Sequence, residues 1–383
     1  MAQVSDVIDV LEQWAPPELA ESWDNVGLIT GESSRHIDSV LVTLDITEEN
    51  LSHSHDSHFS MIVSHHPPIF KPLKNIAGND LQSRIIRAAV KDDIALYSAH
   101  TNLDRAPDGV SYALAERLGL ENITMLAPGG MEMVKFVTFT PPGYTDEVRD
   151  AAGFAGAGII GAYHFCSFTS RGTGTYMPTG DATPFEGTTG MLSRTDEDRI
   201  EMILPEALVP RVVEAARKAH PYDEMAYDIV RLSQHDPRYG YGAVGDLPEP
   251  MDVQRFIGHV ARKLSVNSLT VSSAERSVRR VAVTGGSGRA YIPHTLKAGA
   301  DAFVTGEIGH HDFLEHGQSL LLVDATHRAT ELPVLENIKT RLESSSALQG
   351  VRILIDRGKD THFIQTFPSR DDISSLEIRR NTQ

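Results

Sequence analysis

Met61-Ile62-Val63 runs straight into Ser64-His65-His66-Pro67-Pro68. Three apolar residues in a row fit a strand buried on both faces. Adjacent histidines on a regular strand point to opposite faces, so His65 and His66 can share a site only where the chain leaves the strand. Pro67-Pro68 enforces that departure, because proline removes ladder donors and fixes φ. The pattern recurs twice. Ile94-Ala95-Leu96-Tyr97 leads into Ser98-Ala99-His100-Thr101-Asn102-Leu103-Asp104, and Leu320-Leu321-Leu322-Val323 leads into Asp324-Ala325-Thr326-His327, with Glu331 four residues on. Histidine and carboxylate at several strand exits suit a dinuclear hydrolytic metal site; a packed core has no need of them there.

Working outward, residues 1–130 read as alternating helices and strands of an N-terminal α/β lobe. Val4, Val7, Ile8 and Leu11 have helical spacing, and Val40-Leu41-Val42-Thr43-Leu44 is a strand run ending at Asp45. Asp80 is placed to cap a helix carrying Leu81, Ile85, Ile86 and Ala89, and a further helix from Val110 to Leu118 stops at Gly119. Residues 131–235 change character. Strand-like Lys135–Thr140, a glycine-rich stretch, Tyr163–Phe168, Glu201–Leu204, a helix from Pro205 to His220 and Ala226–Val230 give a β-α-β-β-α-β order. That order suggests an inserted ferredoxin-like α+β module. Residues 236–383 return to the alternation of the first lobe and form a C-terminal α/β lobe. Asp252 caps a helix, Arg280–Thr284 runs into Gly285–Gly288, and Asp301–Thr305 runs into Gly306-Glu307. A last helix presents Leu332, Leu335, Ile338 and Leu342 on one face. The expected class is α/β, with two similar lobes facing a common cleft and forming one metal-site domain.

In open α/β sheets functional residues gather beyond the carboxyl ends of the strands. Asp45, His65-His66, His100, Asp104, Gly285–Gly288, Glu307, Asp324 and His327 all fall at such ends. A nitrogen and oxygen ligand set suits zinc, manganese, iron or cobalt better than calcium. A carboxylate such as Glu331 could bridge two ions roughly 3.5–4 Å apart and help activate a shared water. Simpler readings stand beside these. His65-His66 could be a surface or capping pair, Asp104 a turn residue, and His327 with Glu331 a solvated pair before a helix capped by Thr330. Gly285–Gly288 resembles an anion cradle, yet lacks the spacing of a dinucleotide fingerprint and the lysine of a P-loop. His310 and His311, just past Glu307, could line the cleft. His53, His55 and His58 with Asp56 read as a solvated face, and His164, His220 and His235 are not expected to be ligands.

Composition limits the rest. The chain has 383 residues, longer than one ordinary domain, with 40% hydrophobic and 23% charged residues, as in a globular protein. Its formal charge of −17, from 35 basic and 52 acidic side chains, repels phosphate backbones and disfavours nucleic-acid binding. The one cysteine, Cys166, permits neither an intramolecular disulfide nor a thiolate zinc knuckle, and it reads as a buried small hydrophobe. The first residues show no secretory signal, and no apolar run approaches the ~20 residues of a membrane span. A cytoplasmic protein without membrane contact is the expectation.

Ser22-Trp23-Asp24-Asn25-Val26-Gly27-Leu28, Ser64–Pro68, Ser98–Asp104, Thr305–Asp312 and Asp324–Glu331 together resemble the dinuclear-metal-centre family of GTP cyclohydrolase 1 type 2 homologues, also known as Ngg-interacting-factor-like proteins. The resemblance spans nearly the whole chain outside the middle module. It implies metal ligands at His65, His66, Asp104, His327 and Glu331, with Glu331 bridging two divalent ions, zinc foremost and iron, manganese or cobalt as alternatives. It also implies a toroidal homohexamer, and a middle module like those of the longer family members. No side chain is assigned as the nucleophile; water held by the ions would serve, with His100 and His311 beside it. One departure is His327-Arg328-Ala329, where an aromatic residue is expected after the histidine. The implied activity is hydrolysis of a nucleotide such as GTP or another small phosphorylated substrate. A non-catalytic metal-binding regulator or scaffold, and a metallopeptidase or amidase, are the competing readings.

Overall fold

A computed structural model describes residues 1–51, 59–129, 131–180, 182–236, 238–273 and 277–358. His53, His55, His58 and Asp56 lie outside the described residues. In chain order the strands are β1 (Gly27–Thr30), β2 (Ser39–Thr43), β3 (Met61–Ser64), β4 (Ala95–Ser98) and β5 (Glu121–Pro128). The middle contributes β6 (Glu132–Thr140), β7 (Phe168–Tyr176), β8 (Ser193–Pro205) and β9 (Tyr227–His235). Then come β10 (Gly240–Asp252), β11 (Thr270–Val271), β12 (Ser277–Ser287), β13 (Ala302–Gly306), β14 (Leu321–Asp324) and β15 (Arg352–Asp356).

The first sheet has the order β1-β4-β3-β2-β15, parallel except for β1. Every residue of β3 is buried, because alternate side chains enter two different cores. Met61 and Val63 join Val40, Val42 and Tyr97 under the helices Val4–Trp14 and Val334–Glu343. Ile62 joins Leu41 and Leu96 under the helix Leu81–Lys91. The expected caps are present: Asp80 Oδ1 accepts the Ser83 N–H at 2.9 Å, and Asp252 Oδ1 accepts that of Arg255 at 2.9 Å. Gly119 ends its helix in the left-handed region at φ 75, as a C-cap glycine should.

The second sheet, β11-β14-β13-β12-β10-β5, has β12, β13 and β14 parallel at its centre. It too is covered on both faces, with Val281, Val283 and Val304 toward the helix Val253–Leu264 and Phe303 and Leu322 on the other side. The two lobes exchange segments. β5, from the first third of the chain, pairs with β10 in the second sheet, whereas β15 pairs with β2 in the first. The helix Val110–Leu118 belongs to both cores: Val110 and Ala113 face the first, and Leu114, Ala115 and Leu118 the second.

The middle segment forms a separate antiparallel sheet, β7-β8-β6-β9, with the β-α-β-β-α-β order expected. Its helices, Thr145–Phe154 and Val209–Ala219, pack Val148, Ala152, Val212 and Ala216 against Val134, Phe136 and Met202. The chain leaves for this module from β5 and returns through β10, where Pro128 and Gly240 are partners. One strand expectation fails. Tyr163–Phe168 is not the second strand, which starts at Phe168; the run before it is a turn bridged between Ile160 and Tyr163. Positive φ at Gly158 (74°), Gly161 (56°) and Phe165 (58°) breaks the extended backbone there. Cys166, expected buried, is half-exposed.

Candidate metal centre

Because β2, β3 and β4 are parallel, their carboxyl ends open on one edge, carrying Asp45, His65-His66 and His100. The parallel β13 and β14 do the same for Glu307 and the short helix His327–Glu331. The two edges meet. Glu331 is 3% exposed, not solvated, and three imidazoles surround it: His327 Nε2 is 2.9 Å from Oε1, His65 Nε2 is 3.7 Å from Oε1, and His66 Nε2 is 3.2 Å from Oε2. Asp104, in the helix Thr101–Arg105, places Oδ1 3.8 Å from His65 Nε2.

Each of these histidines is held by its other nitrogen. Nδ1 of His65 lies 2.8 Å from the Ala99 carbonyl, that of His66 2.9 Å from Asp45 Oδ1, and that of His327 3.0 Å from Glu307 Oε1. A carbonyl or carboxylate acceptor keeps a proton on Nδ1 and turns Nε2 into the cleft, the atom a metal would take in place of any proton there. Such orientation of ring nitrogens is common around metal ligands. Asp45 and Glu307, singled out in the sequence as strand-exit carboxylates, thus act through the imidazoles. Asp324 does not reach the cluster; its oxygens accept the Ile308 and Thr326 N–H groups at 2.8 and 3.0 Å.

His100 shares the arrangement. Its Nδ1 is 2.9 Å from Asp24 Oδ1, while Asp24 Oδ2 accepts the Thr101 N–H at 3.0 Å. Asp24 lies 76 residues from His100, so sequence spacing gave no sign of this partnership. Potential ligand atoms of His65, His66 and His100 lie within 4.8 Å of one another, as do those of His66, His327 and Glu331. His310 and His311 join neither group; their rings, 5.6 Å apart, stand edge-on to each other in the helix His310–His316.

Electrostatics match this crowding. Burial opposes charge on Glu331, but the imidazoles around it prevail and hold it well below the usual carboxylate range. Burial works against a charged His66 too, yet Asp45 and Glu331 push it up to about 10. The hydrogen bond to Glu331 raises His327 to about 9. Asp104 moves the other way: burial raises its carboxyl above the ordinary value despite the nearby histidines.

The donor set fits a metal. His65 Nε2 and Glu331 Oε2 are both buried and without a hydrogen-bond partner, which costs roughly 1–3 kcal/mol per group unless a ligand satisfies them. Two donors on one tetrahedral zinc, each about 2.0–2.1 Å from it, stand roughly 3.4 Å apart. The observed nitrogen–oxygen separations of 2.9–3.8 Å straddle that value.

The glycine loop serves a different purpose from the anion cradle it resembles. Its amides are already engaged: Gly285 N–H donates to Ser111 Oγ, Gly286 N–H to Thr330 Oγ1 and Gly288 N–H to Thr305 Oγ1. The glycines provide clearance. A Cβ on Gly286 would stand 2.5 Å from Glu331 Oε1, and one on Gly306 2.6 Å from the backbone nitrogen of His327. Glu307 (φ 59) and Thr326 (φ 69), on either side of this approach, occupy the left-handed region that non-glycine residues avoid. Such backbone gathers at functional sites. Thr330 does not cap the last helix, Val334–Glu343, whose N-cap position is Pro333; it lies inside the short helix His327–Glu331, which Thr326 caps by accepting the Ala329 N–H.

Residues 2–360 match the family model Duf34/NIF3 (NGG1p interacting factor 3). The GTP cyclohydrolase 1 type 2 homolog of Halalkalibacterium halodurans is 38% identical over 381 residues, covering 98% of this chain and 100% of that one. The homolog of the same name from Bacillus subtilis is 38% identical over 343 residues, 88% of this chain and 91% of its own. Among solved structures, the Bacillus cereus protein related to NIF3 superposes with a TM-score of 0.79 at 37% identity, covering 95% of this chain and 99% of that one. The chain belongs to the Duf34/NIF3 family.

Proposed function

We propose that this member of the family holds two divalent ions, zinc foremost, through His65, His66, Asp104, His327 and Glu331, and hydrolyses a nucleotide or similar small phosphorylated substrate there. One observation carries the reading: three imidazoles, each tethered at Nδ1, turn their Nε2 atoms onto one buried carboxylate. When bound, such ions polarise a phosphoryl or carbonyl oxygen and ease attack by water at neutral pH. The chain's own residues supply the rest. Asp45, Glu307 and the Ala99 carbonyl orient the imidazoles, and Glu331 lies between His65 and His66, where a bridging carboxylate belongs. His100, steered by Asp24, sets a further imidazole beside them that can hold or pass a proton to bound substrate.

A structural metal site closes its coordination sphere, whereas a catalytic one stays open. The His327 side chain is 37% exposed, so the cluster has an open side. That favours catalysis over a purely structural brace. A second reading has support of its own: the ligands come from both sheets, so the ions could chiefly tie the lobes together. The family's hexameric assembly belongs to the same proposal and is read from the native mass. The relatives' shared name puts GTP first among substrates to try.

The test is metal analysis of protein purified without added metal, beside the His66→Ala/Glu331→Ala double variant. About two ions per chain are expected in the parent, and a large loss in the variant. Fewer than about one ion in the parent, or unchanged content in the variant, overturns the reading. Turnover of nucleotides, phosphoesters or small peptides by the loaded parent separates hydrolase from brace.

A further inference from the structure

Trp23 is 60% exposed and Phe70 43% exposed, a large aromatic area to leave in water beside a polar site. The two rings converge on one side chain. Trp23 stands edge-on to His100 at 6.1 Å and 73°, Phe70 at 5.6 Å and 84°. His100 in turn lies 5.2 Å from the His65 ring and 5.4 Å from that of His66. A single imidazole therefore separates two exposed rings from the candidate metal ligands.

Both loops are braced. Asp24, next to Trp23, takes the His100 Nδ1 contact at 2.9 Å. Asn25 Nδ2 donates to the carbonyl of Ile69, next to Phe70, at 2.8 Å. Rings held in advance lose little conformational freedom when a ligand stacks on them. The glycine-loop amides are already engaged by hydroxyls, so that loop adds little grip on the far part of a substrate.

We propose that Trp23 and Phe70 form a stacking wall for a nucleobase-like heteroaromatic ring, whose phosphorylated end reaches the metal centre. The wall rests on the hydrolase reading for the role of that far end. The reach fits: Trp23 and His65 ring centres are at most about 11 Å apart, the span of a base joined through a sugar to phosphate. Ser22, Asp24 and Asn25 around Trp23 are polar, so Trp23 is an isolated anchor, while Phe70 ends the run Pro67-Pro68-Ile69 and is followed by Lys71.

The chain carries its own reporter. It has two tryptophans; Trp14 is 5% exposed with its indole N–H bonded to the Pro107 carbonyl, so added ligand acts on the emission of Trp23. Zinc-loaded full-length protein is titrated with GTP, ATP, UTP and inorganic tripolyphosphate. Saturable quenching by at least one nucleotide, and none by tripolyphosphate, is expected. Trp23→Ala and Phe70→Ala should each weaken that nucleotide about tenfold in calorimetry, whereas Trp23→Phe keeps most of the affinity. Tripolyphosphate affinity and zinc content should stay at parental values in all three. Absence of quenching by every nucleotide overturns the wall, as does an equal loss of tripolyphosphate binding, or acrylamide failing to reach Trp23 because a second copy covers it. Zinc content is read separately. Quenching without bound zinc would sink the metal reading and leave the wall standing; bound zinc without quenching would do the reverse.

Discussion

Replacing Gly286 by alanine should empty the candidate centre while leaving the fold intact. Two costs combine. Gly286 has φ +62, and an L-residue in the left-handed region costs roughly 1–2 kcal/mol. For a chain of this length that corresponds to a fall of about 1–3 °C in the melting point of metal-stripped protein. The second cost falls on the site. The new Cβ would meet Glu331 Oε1 at 2.5 Å and His327 Nε2 at 3.2 Å, so the carboxylate must give by about 0.9 Å to reach ordinary contact at 3.4 Å. Glu331 is walled in by three imidazoles and cannot yield without leaving them. Zinc affinity should therefore fall at least as far as when a ligand's supporting partner is lost, roughly 10–100-fold. Gly119→Ala is the control: it has φ +75 and no atom within 4 Å, so it carries the backbone cost alone. Chelator competition reads zinc affinity, and calorimetry of stripped protein reads stability. Parental zinc affinity in Gly286→Ala, or an equal zinc loss in Gly119→Ala, would refute the reasoning.

Asp45→Ala removes the acceptor that steers His66, and zinc should bind roughly 10–100-fold more weakly in chelator competition; parental affinity would mean that Asp45 does not orient a ligand. Thr305 Oγ1 accepts the Gly288 N–H and donates to the Gly286 carbonyl, both buried, so Thr305→Val should lower the unfolding free energy in urea by about 1–3 kcal/mol. His66 and His327, raised to about 10 and 9, hold protons at pH 7 in the stripped protein, so zinc loading should release about two protons per chain into a weakly buffered dye solution. No release would contradict the assignment of both as ligands. Because both folded values exceed the ordinary imidazole value, their stabilisation of the stripped protein is complete below about pH 6.5 and disappears as pH rises through about 9 to 10. Thermal melts across that window should show the decline in stripped protein and not in zinc-loaded protein.

The candidate site was legible where its chemistry is local. His65-His66 sits at the end of one apolar run, and His327 with Glu331 has the i, i+4 spacing that puts both on one helix face. Asp24 was not legible as the partner of His100, because a contact between positions so far apart is made by the fold and leaves no spacing to read. Gly285–Gly288 misled for a related reason. A glycine that clears room for a carboxylate looks, in sequence, like one that offers its amide to an anion, and only the hydroxyls of Ser111, Thr305 and Thr330 tell them apart. Elements with strong periodicity and caps, such as Leu81–Lys91 and Val253–Leu264, lie where the pattern put them. Tyr163–Phe168 did not, since its aromatic run has the composition of a strand but the glycines before it turn the chain. The exchange of β5 and β15 between sheets carries no local signal, because a strand's own residues do not say which sheet it will join.

That exchange has a consequence for how the protein is made. β2 receives its outer neighbour from β15, near the end of the described chain. At ~5–20 residues per second, roughly 15–60 s separate the synthesis of β3 from that of β15. Through that interval the nascent first lobe presents an open strand edge and half of the helix Val110–Leu118 without its final partners, the kind of surface that invites wrong pairing. The middle module, closed on itself between β5 and β10, can fold while the lobe waits. A ribosome-bound chain ending before Arg352 should therefore depend on a chaperone where the full chain does not.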